Sequence, residues 1–185
     1  VESIEDNLIA KTTQLPVQQT QTSATWGLDR IDQKALPLGA SYSYTYAGQG
    51  IFAYVLDTGI NPTHVDFQVS ATNTSSRVIL GQSYIAGTTN SHDDQGHGTH
   101  CAGTIGGLRW GVAKEVTLVA VKVLNSAGSG TYDGIISGIN WVVADTTVSN
   151  SKKVINLSLG GGASSTLDNA VARAVQAGEL YGREK

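Results

Sequence analysis

The 185-residue sequence contains one cysteine, no methionine and three prolines. With Cys101 alone, no internal disulfide can close, so cysteine usage does not reveal a redox compartment. Charge is scarce as well: 15% of the residues are Asp, Glu, Lys or Arg, against roughly 25% in an average globular chain. A chain this poor in charge does not stay solvated and extended, and its 40% of hydrophobic residues supply a core. The net charge of −3 comes with no basic patch, which argues against nucleic acid or an anionic membrane as partner. No apolar run approaches the roughly 18 residues of a membrane span, and no basic-then-apolar leader opens the chain, so Val1 reads as an interior start. At roughly 150 residues per domain, the length fits one domain or a piece of one. Glycine is in excess: there are 22 where usage of ~7% would give about 13, a sign of backbone packed close to backbone or to a ligand.

Residues 1–23 are polar and rich in threonine and glutamine, with no helical or strand period after Ile9, and read as a linker. Composition turns globular from Trp26. Three runs follow, the first continuously apolar, each ending in a small-residue turn: Ile51–Leu56 before Asp57-Thr58-Gly59, Thr117–Leu124 before Asn125–Gly130, and Val154–Leu159 before Gly160-Gly161-Gly162. These patterns predict strands buried on both faces. Between them, Ile135, Ile136, Ile139, Val142 and Val143 carry a helical period after Thr131 as cap. Leu167, Ala170, Val171, Ala174 and Val175 carry another from Ser165, with Asp168 completing a capping box and Gly178 as the stop. Strands alternating with such helices imply an α/β fold, a parallel sheet flanked by helices, whose working residues sit at strand C-termini. No internal repeat occurs.

Two segments carry chemistry: Asp57-Thr58-Gly59, and His97 through Thr104. A carboxylate at the end of a buried strand can bond one imidazole nitrogen and fix its tautomer, leaving the other nitrogen to take a proton from a nucleophile. Asp57 and His97 suit those roles, and the glycines flanking His97 would let a substrate backbone approach. Three other chemistries fit less well. Asp57-Thr58-Gly59 matches the aspartic-protease triplet, but those proteins are all-β and the helices here are not. His97 and His100 with His92, Asp93 and Asp94 lack the Glu of a His-Glu-x-x-His zinc helix. Gly128-x-Gly130-x-x-x-Gly134 imitates a dinucleotide loop, but the next strand ends without the acidic residue such a site needs. Asn73-Thr74-Ser75 is a glycosylation sequon in a polar stretch, and Asn156-Leu157-Ser158 is a second one in mid-strand.

Taken in order, Val55–Ile60, Gly96–Thr104, Trp110–Lys114, Lys122–Leu124 with Gly128–Gly130, and Asn156–Gly161 make the chain resemble the subtilisin-like serine proteases, in particular their proteinase K branch, from about Trp26 to Gly178. The resemblance implies a secreted, extracellular endopeptidase with an Asp-His-Ser triad, in which Asp57 and His97 are the first two members. It implies that Gly128-Ser129-Gly130 and Ser158-Leu159-Gly160 flank the cleft and pair with substrate main chain, and that Cys101 is a buried thiol beneath the site. The implied partners are a polypeptide substrate and the protein's own propeptide, with a monomer at full length. Calcium comes with the family, but no full ligand set maps onto this chain, so no metal ligand and no cofactor is assigned.

The same resemblance divides the chain. Residues 1–10 look like a remnant of an inhibitory propeptide, 11–23 like a linker and maturation region, and 24–185 like a truncated catalytic domain. The family continues into Ala-Gly-Asn, whose Asn serves the oxyanion hole, and Gly-Thr-Ser, whose Ser is the nucleophile. Neither word occurs in this sequence. The expectation is therefore part of a serine endopeptidase, incomplete at the C-terminus and inactive alone. Without its expected continuation, the strand at 154–159 should lie at an open sheet edge. The alternative, from another class, is a non-catalytic peptide-binding or decoy protein that retains half the cleft.

Overall fold

A computed structural model describes residues 17–178 and 180–183, the last four by backbone alone. In chain order the elements are β1 (Gln19–Thr22), α1 (Trp26–Asp32), β2 (Ser41–Tyr44), β3 (Phe52–Asp57), β4 (Val78–Ser83), α2 (His97–Gly106), β5 (Thr117–Lys122), α3 (Tyr132–Ala144), β6 (Lys153–Leu157), α4 (Ser165–Gln176) and β7 (Leu180–Arg183). Five strands form a parallel sheet in the order β4-β5-β3-β6-β7, while β1 and β2 make a separate antiparallel pair.

The largely apolar runs follow from burial of both sheet faces. Along β3, Tyr54 and Leu56 point into a core with Val119, Val121, Ile139, Val142 and Ala174, under α3 and α4. Ala53 and Val55 point the other way, into a core with Ala102, Leu118 and Ala120, under α2. At period 2, each face of the strand needs its own apolar set. Helices on both faces bear out the α/β reading.

The caps follow the side-chain chemistry. Thr131 accepts from the Gly134 amide at the start of α3. At α4 the cap is Ser164, accepting from the Leu167 amide, one residue before the predicted Ser165. Gly178, at φ +93°, ends that helix as expected. The far end of α3 is held by the buried Lys153 of β6, whose ammonium donates to the Val142 carbonyl at 2.6 Å and the Asp145 carbonyl at 2.5 Å. Carbonyls of a last helical turn lack intrahelical partners, and a cation there satisfies them.

Two expectations change. β6 does not lie at an open edge, because β7 pairs with it in parallel from Val154↔Leu180 to Leu157↔Arg183. The stretch without a legible strand period contains β1, which is polar because it is solvent-exposed and held by pairing with β2. Residues 1–10, read as a propeptide remnant, and 11–16 of the linker region lie outside the described residues.

Candidate active site

β3 is the topological switch of the sheet: β5 lies on one side of it, β6 on the other, and α3 joins those two across it. Such a point opens a crevice beyond the strand C-termini, and Asp57 ends β3 there. Its side chain is fully buried. Asp57 Oδ1 accepts from the Thr58 amide at 2.7 Å, and the two carboxylate oxygens lie 2.8 and 2.9 Å from His97 Nδ1. With a carboxylate as acceptor, Nδ1 is the protonated nitrogen, and in the neutral ring Nε2 keeps its lone pair. His97 is the first residue of α2, and its side chain is 47% exposed against 0% for Asp57. The sequence-predicted pair is therefore in contact, with one member buried and the other open.

The glycines beside His97 serve the fold. Gly96 caps α2 at φ +114°, a conformation in which a side chain is strained. Gly98 is buried against the Asp57-Thr58-Gly59 turn, so it makes room for the protein's own backbone and not, as the sequence suggested, for a substrate.

Three residues that the sequence reading named without giving them a part in this site complete it. The Thr58 hydroxyl donates to Asp93 Oδ1 at 2.7 Å and accepts from the Gly98 amide at 2.9 Å. Burial alone would raise the Asp93 pKa. Hydrogen bonds from the Thr99 side chain, the Gly96 and Gln95 amides and the Thr58 hydroxyl outweigh it and hold the carboxyl at about 2. Lys122, buried at the end of β5, donates to the Thr58 carbonyl at 2.5 Å and to Asp94 Oδ1 at 2.6 Å. A lysine inside an otherwise apolar run was the available signal, since a buried ammonium requires partners. Asp93, four residues before His97 in a polar loop, could have been flagged as a helix-start acceptor.

All six expected wall residues, Gly128, Ser129, Gly130, Ser158, Leu159 and Gly160, border one cleft of about 470 Å³ with Thr58, His97, Leu124 and Tyr132. Their environments differ. Ser129 directs its amide to Asn125 Oδ1 at 3.0 Å and its carbonyl to the Asn125 amide at 2.9 Å, which closes the turn. No hydrogen bond from the described residues takes the Gly130 amide. A Cβ at Gly130 would meet the Val123 carbonyl oxygen at 2.1 Å, whereas at Gly160 it would meet nothing within 4 Å. A larger hollow of about 720 Å³, bordered by His64, Asp66, His100 and Trp110, includes neither Asp57 nor His97.

Cys101 is half-buried, with Sγ 3.8 Å from His97 Nδ1 and 4.0 Å from Nε2. This corrects the expectation of a buried thiol: the sulfur is partly open and beside the imidazole. Asp57, His97 and Cys101 are the one group of three acidic, imidazole or thiol ligands that converge among the described residues. Their nitrogen and sulfur donors do not suit calcium, which takes oxygen, so no calcium chemistry is assigned to this cluster. The loop residues considered as metal ligands are engaged elsewhere, Asp93 with Thr58 and Thr99 and Asp94 with Lys122.

Comparison with known proteins agrees with this geometry. Residues 48–182 match the model of the Subtilase family. The chain is 45% identical over 177 residues to alkaline serine exoprotease A of Vibrio alginolyticus, covering 96% of this chain and 31% of that protein. It is 49% identical over 158 residues to an extracellular serine proteinase of a Thermus species, covering 85% and 36%. Among solved structures, a cold adapted subtilisin-like serine proteinase superposes with a TM-score of 0.78 at 46% identity, over 86% of this chain and 55% of that one. The chain belongs to the subtilase family and has a subtilisin-like fold. It spans about a third of the length of these curated relatives.

Proposed function

We propose that this chain supplies the proton-handling pair and two substrate walls of a secreted, extracellular serine endopeptidase. His97 Nε2 takes the proton of a serine hydroxyl as that oxygen attacks the peptide carbonyl, and later returns it to the leaving amine. Asp57 holds the Nδ1–H tautomer and stabilises the imidazolium. The serine and its oxyanion donor come from chain outside this sequence. The observation that carries the reading is the Asp57–His97 contact: a fully buried carboxylate 2.8 Å from Nδ1 of a ring that is 47% exposed, on the border of the cleft.

The substrate in this reading is a polypeptide lying extended between Gly128–Gly130 and Ser158–Gly160, recognised largely through its backbone. The enzyme's own propeptide would occupy the same cleft before maturation, and the full-length protein works as a monomer. The names of the serine proteinase relatives support the reaction class, and no described helix is long and apolar enough to cross a membrane. The test is peptide-amide hydrolysis by the full-length parent. Asp57→Asn and His97→Ala should each lower kcat by roughly 10⁴-fold or more, the scale of loss established for subtilisin itself. The 185-residue chain alone should show no turnover. Near-wild-type kcat in either variant would remove that residue from the triad, and binding of peptide without hydrolysis by the parent would favour the decoy alternative.

A further inference from the structure

The first four amides of an α-helix have no partner within it, and α2 begins at the residue proposed as the base. All four are satisfied from outside the helix's own ladder. The Gly96 amide donates to Asp93 Oδ1 at 2.9 Å and the His97 amide to Gln95 Oε1 at 2.8 Å. The Gly98 amide donates to Thr58 Oγ1 at 2.9 Å and the Thr99 amide to Asp93 Oδ2 at 3.0 Å. Asp93 therefore caps two of the four directly. It also receives the Thr99 hydroxyl at 2.5 Å, the Gln95 amide at 3.0 Å and the Thr58 hydroxyl at 2.7 Å.

The Thr58 bond is the informative one. A hydroxyl has one proton, and an ionised carboxylate only accepts. Asp93 thus fixes Thr58 as its donor and leaves the Thr58 lone pairs for the Gly98 amide. Thr58 shares a peptide bond with Asp57, and Gly98 shares one with His97. We infer that Asp93 is the positioning residue of the pair: through the Thr58 hydroxyl it locks the end of β3 to the first turn of α2, and so sets the Asp57–His97 hydrogen bond without touching either residue. Its other bonds, to Gln95, Gly96 and Thr99, hold the helix start in the same place.

The inference rests on His97 as the proposed base, and its test does not need turnover. The imidazole nitrogens of the 185-residue chain, uniformly labelled with ¹⁵N, report tautomer and Nδ1–H exchange at about pH 8, where an ordinary histidine is neutral. In the wild type, His97 should be the Nδ1–H tautomer with a protected Nδ1 proton. In D93A and T58V the Nε2–H tautomer should rise several-fold and the Nδ1 proton should exchange into water, while the amide signals of Val55, Ala120 and Ile139 stay in place. D93N, which keeps one acceptor oxygen, should fall between. A wild-type tautomer and protected Nδ1–H in folded D93A and T58V would overturn the inference. If D93A does not fold, T58V decides, because it removes the relay and keeps the side-chain shape. Failure here leaves the endopeptidase reading intact, whereas an inactive parent enzyme would sink that reading and leave the spectroscopic result standing.

Discussion

Gly98 packs so closely on Gly59 that a Cβ at position 98 would lie 2.2 Å from the Gly59 carbonyl oxygen and 3.1 Å from Asp57 Oδ1. Neither backbone can give way without moving the end of β3. Gly98→Ala should therefore cost about 3 kcal/mol, at the upper end for overpacking, and should separate Asp57 from His97. Thermal unfolding and the His97 Nδ1–H resonance check the two effects, and an unchanged melting temperature would show that the turn has slack.

The walls of the cleft should respond differently to the same substitution. At Gly130 an added side chain meets the Val123 carbonyl, so Gly130→Val should lower stability as well as peptide cleavage. At Gly160 the space is open, so Gly160→Val should leave the unfolding midpoint of the parent enzyme unchanged and raise KM for long peptides. Equal stability losses in both variants would contradict this contrast.

Asp93 gives a pH dependence whose sign is fixed by its lowered pKa. A carboxylate held at about 2 in the folded chain, against about 3.9 unfolded, contributes stability that is fully present above pH 4. That contribution is lost as pH falls through about 2. The Gly96 and Thr99 amide shifts should titrate with a midpoint near that value. A midpoint near 4 would mean that the five hydrogen bonds to the carboxylate do not persist in solution.

Lys153 offers a test away from the site. Lys153→Met keeps the buried stem but leaves the Val142 and Asp145 carbonyls without the ammonium. Unfolding in urea should show a loss of about 2 kcal/mol, the scale of charge-assisted hydrogen bonds removed from a buried pair of acceptors. Faster amide exchange should be confined to the last turn of α3.

Legibility in the sequence tracked how local each cause was. β3, β5 and β6 were readable because two buried faces require largely apolar runs, and α3 and α4 because one buried face imposes a helical period. β4 was not, since its exposed Ile79 and Leu80 share a short edge strand with Gly81 and Gln82, which blurs any period. The Asp57 and His97 words stood out, but Asp93 and Lys122 act through bonds to Thr58 spanning 35 and 64 positions, and residue type alone does not announce such partners. The glycines were visible, and the reason for two of them was not. Gly98 and Gly130 are excluded from bearing side chains by backbone that only the fold brings near.

Asp57, Thr58, Asp93, His97, Gly98 and Thr99 all fall between residues 57 and 99, in the run of chain that leaves β3, passes through β4 and enters α2. Apart from the bond that Lys122 of β5 makes to the Thr58 carbonyl, the aim of the imidazole is thus set by a contiguous stretch of chain, independent of whatever brings the nucleophile. In the proposed endopeptidase this makes the Asp57–His97 pair a natural half of a split enzyme. A second polypeptide carrying the serine and the oxyanion donor would need to dock along the sheet, but it would not have to orient the base.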